Sequence, residues 1–77
     1  MTRDEVVAVL LERAAERLEA PDLGEDDVLA GRGVDSLALV EWALDVEEAV
    51  GVVLTEADLV GAPTVGGLAD VILARRG

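Results

Sequence analysis

The 77-residue sequence contains no cysteine and no histidine, and it also lacks lysine, tyrosine, asparagine and glutamine. Without cysteine there is no disulfide framework, and without either residue the usual ligands of a structural zinc site are missing. A nucleophilic hydroxyl would have no histidine or lysine to act as its base. Paired carboxylates could still act as acid and base, but so small a helical domain has little room for a substrate cleft. We therefore predict a protein that is not an enzyme, with no catalytic residue and no metal site.

Aromatic residues are nearly absent, because Trp42 is the only one. The core must therefore be built from valine, leucine and alanine. Hydrophobic residues make up 52% of the chain, which is too many for a solvated, disordered polypeptide. Small domains without disulfides or metals usually rely on well-packed helices. The sequence thus predicts a single domain over residues 1–77.

Basic residues are few, since six arginines stand against seventeen acidic residues, for a net charge of -11. Such a surface repels nucleic acids and anionic membranes, and it favours partners with basic patches. No segment resembles a signal peptide, and the longest uncharged stretch, residues 60–69, is too short to span a membrane. We expect a cytoplasmic monomer that binds neither nucleic acid nor a membrane.

Hydrophobic periodicity and capping patterns predict four helices. They are expected over about residues 3–18, from 35 or 36 to 50, over 55–61, and from 64 onward. Gly51 is predicted to end the second helix. Gly66 and Gly67 fall in the first turn of the last helix, so we expect that turn to fray. The predicted fold class is all-α, a four-helix bundle of three longer helices and one short third helix.

A long connection, residues 20–34, joins the first two predicted helices. Loops of this length in compact domains are usually functional or disordered. We expect Leu23, Val28 and Leu29, its large apolar residues, to pin it across the bundle. An EF-hand calcium site does not fit the acidic run, because Gly24 and Gly33 fall where ligands belong.

The second predicted helix carries two apolar stripes. The stripe expected to face the core consists of Leu39, Trp42, Ala43, Val46 and Val50. The other stripe is rotated away and is flanked by acids; it consists of Leu37, Val40 and Leu44, with Glu41, Asp45, Glu47 and Glu48 beside it. Burial statistics leave two interpretations of this second stripe open, further core or an exposed patch for a partner.

Ser36 is the only serine in the chain, and it follows Asp35 at the start of the second predicted helix. A helix N-terminus offers free N–H groups and the positive end of the helix dipole, so a phosphate attached there is stabilised. The same two residue types are also preferred as ordinary helix caps. On these residues alone, an ordinary cap is the favoured interpretation.

The run from Gly33 to Leu54 resembles the phosphopantetheine-attachment segment of acyl carrier proteins, and the likeness extends over nearly the whole chain. The resemblance implies that Ser36 receives 4′-phosphopantetheine covalently from coenzyme A, with Leu37 beside the attachment site. Asp35 would help to hold magnesium in the complex with the phosphopantetheinyl transferase. The thiol of the arm would carry acyl groups as thioesters, which accounts for the absence of cysteine.

The resemblance also implies a surface on the second helix that partner enzymes recognise. It would consist of Leu37, Val40, Glu41, Leu44, Glu47 and Glu48. The partners would be the transferase, an acyltransferase or acyl-loading ligase, and a ketosynthase of a bacterial fatty-acid-like or polyketide (antibiotic-type) pathway. One alternative is a peptidyl or aminoacyl carrier of a nonribosomal pathway. Another, from a different class, is an acidic helical adaptor that carries nothing.

Overall fold

The computed structural model describes residues 1–19, 21–28, 36–61 and 64–76. Within these ranges there are four helices and no strand: α1 (Arg3–Arg17), α2 (Ser36–Val50), α3 (Glu56–Gly61) and α4 (Val65–Arg76). The predicted all-α bundle is confirmed, and the observed bounds lie within about one residue of those expected. No helix in these ranges combines the length and apolarity needed to cross a membrane.

Threonine side chains cap the starts of three helices. The Thr2 hydroxyl accepts from the backbone N–H of Glu5 (3.2 Å), and the Glu5 carboxylate accepts from the N–H of Thr2 (3.0 Å), which is the predicted capping box. Thr55 and Asp58 form the same reciprocal pair at α3, at 3.2 and 2.8 Å. At α4, the Thr64 hydroxyl accepts from the N–H of Gly67 (3.0 Å). Every threonine of the chain is thus engaged in ending a loop and starting a helix.

The core lies where α1 packs against both α2 and α4. The large side chains that are buried to 1% exposure or less are Trp42, Leu10, Leu68, Ile72, Val6, Val46, Val50 and Val65. Trp42 is completely buried, and its indole N–H donates to the carbonyl oxygen of Leu10 at 3.1 Å. The largest apolar side chain therefore fills the centre of the bundle without leaving its one polar atom unsatisfied.

Gly51 ends α2, as the sequence predicts. Its φ of 74° lies in the left-handed region, where a residue without a side chain avoids strain. Its N–H donates to the carbonyl of Glu47 at 2.8 Å, and the guanidinium of Arg76 donates to the carbonyl of Val50. Backbone carbonyls at the end of α2, which lack partners within the helix, thereby accept hydrogen bonds, one of them from the last turn of α4.

Arginine side chains join elements that are distant in sequence. Among the residues that the structure describes, three ion-pair clusters do so: Arg3 with Glu25 and Asp70, Arg17 with Asp45, and Arg75 with Asp58. The Asp58 carboxylate, only 11% exposed, also accepts from the backbone N–H of Thr55. That hydrogen bond and the neighbouring Arg75 guanidinium hold the pKa of Asp58 below its usual value. The few cations of this acidic chain thus fasten the helices together.

The loop after α1 is fixed in a different way from the one expected. Leu23 is buried, as predicted, but Val28 is 49% exposed, so the expectation that Val28 pins the loop is wrong. Leu29 lies outside the described residues. Backbone hydrogen bonds to α4 hold this part of the loop instead, and they involve the N–H groups of Val65 and Gly66. The first turn of α4 is consequently tied to the loop, and the expected fraying is not observed.

Candidate functional site

Ser36 is the first residue of α2, a 15-residue helix. The neighbouring Asp35 lies outside the described residues. The first turn of α2 contains no acidic residue, whereas the first turn of α1 contains Asp4 and Glu5. An anionic group on Ser36 would therefore meet the positive end of the α2 dipole, with Asp35, directly before it in sequence, as the nearest acid along the chain.

The chain offers four side-chain hydroxyls for a phosphodiester bond, those of Ser36, Thr2, Thr55 and Thr64. Each threonine oxygen accepts a backbone N–H at the start of a helix, over 3.0–3.2 Å. Attaching a bulky group to one of them would disturb a cap that typically stabilises a helix by about 1 kcal/mol. Modification at Ser36 would leave all three of these caps intact.

One side of α2 presents apolar side chains to solvent. Leu37 is 64% exposed, Val40 50% and Leu44 57%. At 3.6 residues per turn, these three residues and the exposed Glu41 and Glu48 fall within an arc of about 100°. We call these five residues the exposed face of α2. Of the two interpretations of the second stripe, the structure supports an exposed patch and excludes further core.

Two acids that sequence spacing groups with this face make other contacts. The Glu47 carboxylate accepts the backbone N–H of Leu54 at 2.6 Å, which ties the end of α2 to the segment before α3. The Asp45 carboxylate, 20% exposed, is paired with Arg17 of α1. Asp45 and Glu47 lie on opposite flanks of the exposed face, about 80° from its centre. Helical periodicity places them near the face, but contacts with other elements fix where their carboxylates go.

A shallow polar depression lies beside the exposed face, between α1 and α2. It is lined by Arg13, Asp45, Glu48 and Ala49. Small-molecule enzymes usually enclose their substrates in mainly apolar clefts, and this depression is neither apolar nor enclosed. Among the described residues, no three metal-ligating side chains come together. This depression is therefore not suited to enclose a small-molecule substrate.

The segment that resembles acyl carrier proteins thus forms a helix that begins at the only serine of the sequence and presents an apolar and acidic surface along one side. The comparison with protein families agrees: the chain matches the family described as phosphopantetheine attachment site over residues 8–72, more than four-fifths of its length. The protein therefore belongs to the phosphopantetheine-binding carrier family, of which acyl carrier proteins are members. No curated protein matches the sequence significantly.

Membership of this family establishes the prosthetic group, because the domain is the attachment site for covalent 4′-phosphopantetheine. Members of the family generally serve as carriers and not as catalysts. The residues present suit the group: a hydroxyl at a helix start, no acid in the first turn, and no thiol that would compete with that of the arm. The matched segment includes most of α1 and α4 and the whole of α2 and α3.

Proposed function

We propose that Ser36 is the attachment residue and that the chain is an acyl carrier protein. The observation that carries this proposal is how the side-chain hydroxyls are engaged. All three threonine hydroxyls cap helices, and the single serine begins α2. The family match supplies the group, and the engagement of the threonine hydroxyls in helix caps supports Ser36 as the residue that receives it. Asp35, beside Ser36 in sequence, is proposed to help hold magnesium in the transferase complex.

The chain's own part in the attachment reaction is limited to the nucleophile and its surroundings. The Ser36 oxygen forms the new bond to the phosphorus beside pantetheine, the pyrophosphate linkage of coenzyme A breaks, and adenosine 3′,5′-bisphosphate leaves. The hydroxyl proton passes to a carboxylate or to a base on the transferase, because the chain contains no histidine or lysine. The N–H groups in the first turn of α2 then face the negative charge of the phosphodiester. When attached, the arm supplies the thiol that holds acyl groups as thioesters.

The exposed face of α2 is proposed to be the surface that partner enzymes recognise. It begins one residue after Ser36, so a partner docked on it would lie close to the arm. Leu37, Val40 and Leu44 provide an apolar centre, while Glu41 and Glu48 provide negative charge for a basic partner. Glu47 is a weaker candidate for this surface, because its carboxylate is engaged by the backbone of Leu54.

The pathway is proposed to be fatty-acid-like or polyketide assembly in a bacterial cytoplasm. The partners would be a phosphopantetheinyl transferase, an acyltransferase or acyl-loading ligase, and a ketosynthase. The resemblance supports acyl rather than peptidyl cargo, since peptidyl carriers usually have two glycines before the residue preceding serine and a less acidic second helix. Here Gly33 is followed by Val34, and α2 carries four acids after Ser36.

The test is modification of the purified chain by a broad-specificity phosphopantetheinyl transferase with coenzyme A and magnesium, followed by intact mass spectrometry. The wild-type chain should gain the mass of one phosphopantetheine group. Ser36→Ala should gain nothing, and its circular dichroism should remain helical. Thr55→Ala and Thr64→Ala are matched controls that lose a hydroxyl and a cap but should still be modified. A wild-type chain that several transferases leave unmodified would instead support the acidic adaptor.

A further inference from the structure

Three segments that are far apart in sequence meet at the start of α4. They are the first turn of α1, loop residues 24–27, and the first turn of α4. The loop forms a tight turn, in which the Gly24 N–H donates to the Asp27 carboxylate (2.6 Å) and the Asp27 N–H to the Gly24 carbonyl (3.1 Å). The turn is therefore a defined local structure in its own right.

Two backbone carbonyls of this turn cap α4. The carbonyl of Asp27 accepts from the N–H of Val65 at 3.2 Å, and the carbonyl of Glu25 accepts from the N–H of Gly66 at 2.9 Å. The next N–H, that of Gly67, goes to the Thr64 hydroxyl. The loop and the cap together satisfy the donors that open α4, so loop and helix hold each other in place.

Arg3 closes this junction from the side of α1. Its guanidinium pairs with Glu25 of the loop and, through Nε, with Asp70 of α4 at 2.8 Å. The pair lies directly over the backbone of Gly66, where a Cβ atom would come within 2.9 Å of both Arg3 Nη2 and Glu25 Cγ. Glycine at position 66 thus permits the ion pair to cross the start of α4.

We propose that Arg3 and Gly66 are positioning residues for the loop that leads to Ser36, and this inference rests on the proposed function. They hold the middle of a connection whose two ends are fixed by α1 and α2. Without the junction, loop residues 24–27 lose these contacts, and ordering them again when the transferase binds costs conformational entropy. That ordering opposes binding, so it raises KM for the carrier and leaves kcat nearly unchanged.

The first arm of the test measures amide hydrogen exchange in the unmodified protein, and it needs no transferase. Arg3→Gln should speed exchange at Val65 and Gly66 by about tenfold, because their acceptors lie in the released loop. Exchange in the middle of α2, around Trp42, should not change. Arg75→Gln is the matched control. Arg75, in α4, is as exposed as Arg3 (42% against 43%) and also forms an ion pair, but its partner is Asp58 of α3 and not a residue of loop 24–27.

The second arm measures steady-state modification by the transferase. Arg3→Gln should raise KM for the carrier about three- to tenfold at nearly constant kcat, while Arg75→Gln should change KM less than twofold. Gly66→Ala should act like Arg3→Gln although alanine favours helices, because its Cβ displaces the Arg3–Glu25 pair. Gly61→Ala is its control, since a Cβ there meets nothing within 4 Å.

The two arms separate this inference from the proposed function. Unchanged exchange at Val65 and Gly66 in Arg3→Gln would overturn the junction as an anchor, whatever the kinetics. Equal increases in KM for Arg3→Gln and Arg75→Gln would reduce the role of Arg3 to general stability and overturn its positioning role. A wild-type chain that is never modified would refute the attachment at Ser36, and the exchange data would still decide whether the loop is anchored.

Discussion

The two faces of α2 are both apolar, yet they have opposite surroundings. Trp42, Val46 and Val50 are exposed by 1% or less, while Leu37 and Val40, on the same helix, are exposed by at least half. Hydrophobicity alone does not distinguish the two stripes. The difference arises because α1 and α4 form the core with only one side of α2. A helix that keeps a second apolar stripe in water, against the hydrophobic effect, has a surface suited to a partner.

The acidic residues around the core and those on the exposed face of α2 differ in whether they form ion pairs. Around the core, arginines pair with Asp45, Asp58 and Asp70 and connect one element to another. On the exposed face, neither Glu41 nor Glu48 forms an ion pair with any arginine in the described ranges. Arg3, Arg17 and Arg75 thus connect elements of the fold, while the negative charge of Glu41 and Glu48 has no such pair within the described ranges.

The sharpest way to test the contrast is the same truncation on each face. Val46→Ala should lower the free energy of unfolding by about 2 kcal/mol, because it removes two buried methyl groups and leaves a cavity. Val40→Ala should change it by no more than about 0.5 kcal/mol, since half of Val40 is already in water. Urea denaturation followed by the fluorescence of the buried Trp42 measures both variants. Similar losses for the two would show that both faces are packed.

Partner binding should show the reverse order. Leu37→Ala should speed dissociation from the phosphopantetheinyl transferase about tenfold, because apolar anchors at the centre of an interface dominate its lifetime. Leu37→Ala should leave the urea midpoint nearly unchanged, whereas Val46→Ala, once corrected for unfolded protein, should leave dissociation unchanged. Surface-binding kinetics with the transferase immobilised gives both rates. A Leu37→Ala variant that binds normally but unfolds easily would place the docking surface elsewhere.

The rim of the exposed face should act on association. Glu41→Arg and Glu48→Arg should each slow association with a basic partner severalfold and make it less sensitive to salt, because rim charges mainly steer encounter. Glu12→Arg, at an exposed position of α1, is the matched control with the same change of charge. Stopped-flow measurements at two salt concentrations provide the comparison. Equal slowing for all three variants would mean that only the total charge matters.

Features set by local sequence were predicted well. The four helices, the caps at Thr2 and Thr55 and the helix end at Gly51 depend on residues within a few positions of each other, and the structure contains them all. The core stripe of α2 was equally clear, because its spacing follows the helical period. Whether the attachment residue is Ser36 stays a prediction that rests on the family match and on the threonine caps.

Features set by contacts between distant segments were not predictable in this way. The loop carbonyls that bind Gly66 turn an expected weak point of α4 into a fixed one. Val28 is exposed because backbone hydrogen bonds, and not apolar contacts, hold its part of the loop. Glu47 lies beside the exposed face of α2 by periodicity, but the N–H of Leu54 donates to its carboxylate. In each case the contact that decides the outcome is made with a residue that lies outside the local sequence pattern.

Acid should reduce the contribution of the Asp58 carboxylate to the stability of the fold. The pKa of Asp58 is lowered by the hydrogen bond from the Thr55 N–H and by Arg75, so this carboxylate stabilises the fold above its unfolded pKa of about 3.9. The contribution disappears as pH falls through the lower folded pKa. Asp58→Asn should thus be less stable than wild type at pH 7, and the difference should shrink below about pH 4. Urea midpoints from pH 7 to 3 measure it, at low protein concentration because the pI is about 4.1.

The exposed carboxylates provide the contrast for this titration. Glu48→Gln removes a carboxylate that has no ion pair in the described ranges, so it should not reproduce the loss at pH 7 that Asp58→Asn shows. A constant difference between Asp58→Asn and wild type across the whole pH range would show that shape, not charge, explains the contribution of Asp58.

The smallest expected effect is that of salt. With a net charge of -11, the compact chain repels itself, and raising ionic strength from about 0.01 to 0.15 M shortens the Debye length from about 30 to 8 Å. Repulsions between distant acids are screened first, while ion pairs in contact, such as Arg3 with Asp70 at 2.8 Å, are screened less. The melting temperature should therefore rise with salt, by roughly 2–5 °C.

The exposed face should account for part of that rise. Replacing Glu41 and Glu48 together by glutamine removes two negative charges that form no ion pair with an arginine in the described ranges, so the variant should melt higher than wild type at low salt and gain less from added salt. Replacing Asp45 and Asp58 by asparagine removes the same charge but breaks two ion pairs, so this variant should melt lower. Melting curves of the three proteins at both salt concentrations give the comparison. If both double variants melt lower than wild type, then Glu41 and Glu48 stabilise the fold. The negative charge of the exposed face would in that case carry no cost in stability.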